Sequence, residues 1–109
     1  MDSRPPFLTD PYGLHVFGLE AHCGDTGVSE GRYNEFRSAV ERPALIIRYA
    51  EPPRRYYLRS LGWDFSVLLE AAPEHDHWVV RACTFNPADA YLQGLIRGGE
   101  LLSEGDYNL

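Results

Sequence analysis

The chain predicts an α+β domain: a four-stranded antiparallel sheet, with an N-terminal helical region and a C-terminal helix packed on one face of it. Two alternating apolar runs between Gly62 and Phe85, joined by a polar loop containing Pro73, read as the central hairpin of that sheet. Helical spacing flanks them, with Tyr33, Phe36 and Val40 before and Tyr91, Leu92, Leu95 and Ile96 after. At 109 residues there is room for one hydrophobic core, so a single domain is expected, with residues 1–14 as an arm, 15–99 as the core and 100–109 as a tail.

In chain order, Pro5, Pro6, Pro11 and Gly13 predict an extended arm ending in a turn. Residues 15–22 form a short apolar segment with a histidine at each end, helix or strand by pattern alone, and residues 23–27 carry turn chemistry. Ser29 caps a helix running to about Arg42, which Pro43 ends. Residues 44–49 are β-branched and followed by Pro52 and Pro53, so a strand near an edge is expected. Residues 54–59 supply a second strand and the hairpin a third and fourth. In the hairpin, Trp63, Phe65, Val67 and Leu69 share one face. Trp78, Val80, Ala82 and Thr84 alternate with Val79, Arg81, Cys83 and Phe85. Asn86 as cap, Pro87 at the first helical position and Asp89 in the first turn start the last helix, which Gly98 and Gly99 end.

A hydrophobic content of 44% and a charged content of 24% place the chain among folded globular proteins. No apolar run reaches the ~18 residues of a membrane helix, and the first residues lack a signal-peptide core, so a cytoplasmic, non-membrane protein is expected. Two cysteines, Cys23 and Cys83, are too few for a disulfide framework and are read as structural thiols.

The net charge of −6 argues against a general nucleic-acid binder. The charge is uneven. Both ends are acidic, while Arg42, Arg48, Arg54, Arg55 and Arg59 are opposed within their span only by Glu51. Every cationic side chain is arginine, the better fork for phosphate and carboxylate.

Several residues are chemically suggestive. His15 and His22 lie seven apart, two turns on one helix face if that segment is helical, where two imidazoles serve as base and acid. The plainer alternative is one partly exposed histidine and one in a turn. Strand alternation puts Arg55, Tyr57 and Arg59 on one face, suited to a phosphate and a stacked base, or else to cross-strand pairing with Glu70 or Asp64. Thr84 ends the fourth strand, where its hydroxyl can meet a phosphate oxygen. His75 and His77 with a cysteine form only a weak zinc pattern; no metal and no cofactor is expected.

The order of these parts resembles the broad group of small nucleases that includes barnase, EndoU, the tRNA-cutting colicins and RelE. A histidine-bearing N-terminal region precedes the P-A-L-I-I, R-R-Y-Y-L-R, W-D-F-S-V-L-L-E and W-V-V-R-A-C-T-F strands. The likeness spans residues 15–86 and implies metal-independent cleavage of RNA, in a toxin- or phage-associated setting. By that likeness His15 or His22 acts as base or acid, Arg59 and Tyr57 hold the phosphate, and Thr84 assists. The ribose 2′-hydroxyl would then attack the adjacent phosphorus.

The absence of lysine and the acidic total depart from that group and favour a second expectation: a non-catalytic inhibitor or immunity-type protein. Its acidic ends would face the basic groove of a nucleic-acid enzyme, through Glu20, Asp25, Glu30, Glu100, Glu104 and Asp106. The expected partner is RNA in the first case and a basic protein in the second. A monomer, or a homodimer joined through the aromatic strands, fits either.

Overall fold

The computed structural model describes residues 6–60, 62 and 65–103. The elements are β1 (Phe7–Thr9), β2 (His15–Phe17), α1 (Leu19–Thr26), α2 (Glu30–Glu41), β3 (Leu45–Ala50), β4 (Pro53–Ser60), β5 (Ser66–Glu74), β6 (His77–Phe85), α3 (Asp89–Gly98) and β7 (Glu100–Ser103). Among the described residues the fold is α+β, as predicted, but the sheet is larger and mixed. Its order is β1-β2-β6-β5-β4-β3-β7, and only the β2–β6 pair is parallel. The expectation of four antiparallel strands fails because the arm and the tail each contribute pairing residues. Strands β1, β2 and β7 have only three or four residues each, too short for alternation to reveal.

Segment 15–22 is neither one helix nor one strand. Gly18, at φ 88°, breaks it into β2 and α1. The residues read as a turn after Cys23 continue α1 to Thr26, and Gly27 ends the helix in the left-handed region with φ 73°. Helix α2 follows its prediction. The Ser29 side chain accepts from the Arg32 amide, a cap worth ~1 kcal/mol, while Tyr33, Phe36, Ala39 and Val40 are buried. Helix α3 begins two residues later than expected. Asn86 is not its cap: it sits at φ 55° and donates its amide to the Ser66 carbonyl, and Ala88 takes the cap position.

Helices cover both faces of the sheet, correcting the one-sided packing expected. Ile46, Tyr57, Val67 and Leu69 pack against residues of α1 and α2, including Cys23, Tyr33, Phe36 and Val40. Their chain neighbours Ile47, Tyr56 and Leu68 point the other way, onto Leu92, Leu95 and Ile96 of α3. Full burial of one such side chain is worth ~1.5–3 kcal/mol, so each helix is held mainly by its apolar stripe. Strand β3 lies between β4 and the edge strand β7, near an edge as expected.

The β5–β6 hairpin turns at His75 and Asp76, with His75 at φ 58°. Its register slips once. Glu70 pairs with Ala82 but Ala71 pairs with Val80, leaving Arg81 as the extra residue of a bulge. Alternation therefore resets. Trp78 and Val80 share a face with Cys83 and Phe85, not with Ala82 and Thr84 as simple alternation predicts. The expected position of Trp63 lies outside the described residues.

Candidate functional site

Strand β4 alternates as predicted, and this determines what its arginines can do. Arg55 and Tyr57 point toward the face covered by α1 and α2, where the turn between β1 and β2 meets them through Asp10. Asp10 Oδ1 accepts the amides of Tyr12 (2.8 Å) and Leu14 (2.9 Å), folding the Pro11–Gly13 turn around the carboxylate. Oδ2 accepts from Arg55 Nη1 at 2.7 Å and from the Tyr57 hydroxyl at 2.6 Å. The Asp10 side chain is wholly buried and that of Arg55 only 12% exposed. A buried carboxylate is tolerated only when its lone pairs are met, and four donors meet this one. Burial, then the hydrogen bond to Asp10, raises the Tyr57 pKa far above the ordinary phenol range, so the hydroxyl stays a donor. Tyr57 is fully buried and does not reach solvent, so it offers no surface to a phosphate.

The neighbouring guanidiniums are also engaged. Arg48 donates through Nε (2.9 Å) and Nη2 to Glu100, and Arg54 pairs with Glu70 at 3.1 Å. Arg48 and Arg55 are direct cross-strand partners, an unfavourable like-charge pair unless each holds its own carboxylate, as each does. Arg59 Nη1 donates to the Arg42 carbonyl at 2.5 Å. Beyond this strip, Arg32 pairs with Glu35, Arg37 with Glu41 and Arg81 with Glu74. A depression of about 570 Å³ at the β3–β4 hairpin has Trp78 in its wall, and Arg48, Arg54 and Arg55 line it beside Glu51 and Glu100. It carries both signs of charge.

The remaining predicted residues are dispersed. His15 is exposed on β2, its Nδ1 3.0 Å from Thr9 Oγ1 and its ring 4.4 Å from Phe7. His22 is half-buried on α1, where its carbonyl accepts from Thr26. Thr84 is exposed on β6 and pairs with Leu68, which packs under α3; Arg59 pairs with Val67 of the opposite core. His15 lies beside the His77 end of β6, and Thr84 is about 20 Å further along that strand. His15, His22, Arg59, Tyr57 and Thr84 are not brought into one cleft.

His75 and His77 are exposed at the hairpin tip, whereas Cys23 and Cys83 pack in the first core; among the described residues no three metal-ligating side chains gather. Burial, then the nearby Cys23, pushes the Cys83 thiol up to about 12, which keeps it unreactive.

The acidic set divides as well. Glu100 is held by Arg48, and Glu104 and Asp106 lie outside the described residues. Glu20 and Asp25 are exposed on α1, and Glu30 starts α2. Glu20 and Asp25 line a groove of about 480 Å³ between α1 and β1, with Phe7, Leu8, Val16, Leu19 and Tyr33 as apolar lining. Among the described residues no arginine lines it.

Reading the sequence missed Asp10 and the groove. The T-D-P-Y-G run around Asp10 is an Asx-turn signature and announced the turn; nothing local announced Arg55 and Tyr57 as its partners. No family model, characterised protein or solved structure matches the chain, so the likeness to small nucleases rests on its residues alone. The described residues include no helix long and apolar enough to cross a membrane.

Proposed function

We propose that this protein is a non-catalytic docking protein whose acidic α1 surface binds the basic, nucleic-acid-binding surface of a partner enzyme. One observation carries it. Arg48, Arg54 and Arg55 of the central strip are matched by the chain's own carboxylates, whereas Glu20 and Asp25 stand exposed beside the groove between α1 and β1. An exposed acidic helix surface suits a cationic protein surface. Its carboxylates steer the encounter and oppose acidic competitors. Cleavage of RNA needs an accessible phosphate cradle and a converged acid–base set. With Tyr57 buried and His15 at the opposite end of β6 from Thr84, no observation favours it.

The test uses basic RNA- and DNA-cleaving enzymes acting on labelled oligonucleotides, with and without this protein. The expected result is salt-sensitive inhibition that nucleic acid competes away, weakened about tenfold or more by Glu20→Arg with Asp25→Arg and Glu30→Arg. Inhibition untouched by the charge reversals, or RNA cut by this protein alone, overturns the proposal.

A further inference from the structure

The end of the sheet formed by β1, β2 and β6 carries a pair of histidines on the face away from α1 and α2. Val16 pairs with Trp78 and Phe17 with Val79 in parallel register, so His15 and His77, one residue earlier on each strand, stand side by side. Val16 and Trp78 turn into the first core, which sends both imidazoles out through the opposite face. Helix α3 packs on β3, β4 and β5 of that face, and both histidines are exposed. Two phenylalanines back them. The Phe7 ring is 4.4 Å from that of His15, the Phe17 ring 4.7 Å from that of His77, and the two phenylalanines are 5.3 Å apart.

We infer that His15 and His77 together bind a divalent transition-metal ion of the zinc class, which staples β2 to β6. Neighbouring strands lie ~4.8 Å apart, and two imidazole nitrogens bound at ~2.0–2.1 Å to one ion are ~3 Å apart, so side-chain rotation alone brings both onto the same ion. His15 already has an outer partner. Its Nδ1 lies 3.0 Å from Thr9 Oγ1, and with Nδ1 as the donor the lone pair is left on Nε2, as in histidines whose ligating nitrogen is fixed by a hydrogen bond at the other. Glu74, the register partner of His77, pairs with Arg81, and among the described residues no third ligand joins the two imidazoles; water completes the coordination. Imidazole selects zinc, copper or nickel over magnesium and calcium, which prefer oxygen. Strands β1 and β2 have three residues each, so a link to β6 holds the arm where backbone pairing is short. The inference is independent of the acidic-docking proposal.

The probe is zinc ion, titrated by calorimetry and by amide shifts in isotope-labelled protein, with magnesium as the control. The expected result is saturable binding of one ion per chain, weakened about tenfold or more by His15→Ala or His77→Ala, less by Thr9→Val, and unchanged by His22→Ala. Zinc should also slow hydrogen exchange at Val16 and Phe17, and raise the unfolding midpoint of the parent but of neither single-histidine variant. The absence of saturable zinc binding overturns the inference. So does binding that survives loss of either histidine, or equal binding of magnesium. Binding that needs His75 and His77 but not His15 puts the ion on the hairpin tip and overturns it too.

Discussion

The Tyr57 hydroxyl lies 2.6 Å from Asp10 Oδ2, across 47 residues of sequence, and fastens the turn between β1 and β2 to the middle of the sheet. Arg55 completes the clamp from two residues earlier on the same strand. The carboxylate is what makes this arginine–tyrosine strand a structural feature rather than an anion site.

Asp10→Ala is expected to destabilise the fold by about 3–5 kcal/mol, because it strands a guanidinium that is nearly buried. Tyr57→Phe keeps the ring and removes one donor to a charged acceptor, costing about 1.5–3 kcal/mol. Denaturant unfolding of both variants and of Asp10→Ala with Tyr57→Phe measures the coupling. Additive losses would show that the hydroxyl and carboxylate do not act together.

Alkaline pH should loosen the fold through Cys83 first. Its thiol is held protonated in the folded state up to about 12, against 9.0 for the unperturbed group. The unfolded chain therefore releases its proton first, so this contribution is intact below pH 9.0 and declines as pH rises from there toward 12. Tyr57 adds a loss of the same sign above 10.0. Unfolding midpoints across this range should fall earlier for the parent than for Cys83→Ala, which stays level until the tyrosine range. Identical profiles for the two proteins would remove Cys83 as the cause.

Two glycines, one inside α3 and one just past its end, should respond in opposite ways. A Cβ on Gly99 collides with Ile47 Cγ2 and lies 3.1 Å from the Arg48 carbonyl, so Gly99→Ala should cost about 1–3 kcal/mol by prising β7 from β3. Gly94 sits within α3 with nothing within 4 Å of an added Cβ, and Gly94→Ala should gain about 0.5–1 kcal/mol. Thermal unfolding of the pair reads both signs at once.

Arg54 and Glu70 bind across the face that carries α3, with both side chains partly in water. Arg54→Met should change stability by less than about 1 kcal/mol, since exposed pairs are screened and contribute little. A loss several times larger in denaturant unfolding would mean that this pair, and not the packing of α3, secures that face.

Much of the local structure is legible in the residues themselves. Ser29 and the Tyr33–Phe36–Val40 stripe specify α2, and alternation from Arg55 to Arg59 correctly divides β4 between two cores. Capping, turn chemistry and periodicity act within a few residues, so they can be read in order along the chain. Tertiary structure decided the rest: the parallel pairing of β2 with β6, the bulge at Arg81 that turns Cys83 and Phe85 inward, and the partnering of Asp10 with Arg55 and Tyr57. Each depends on groups tens of residues apart meeting, or on a one-residue slip that reverses every facing beyond it. An arginine's charge is visible in sequence; whether a carboxylate already holds it depends on how the sheet curls.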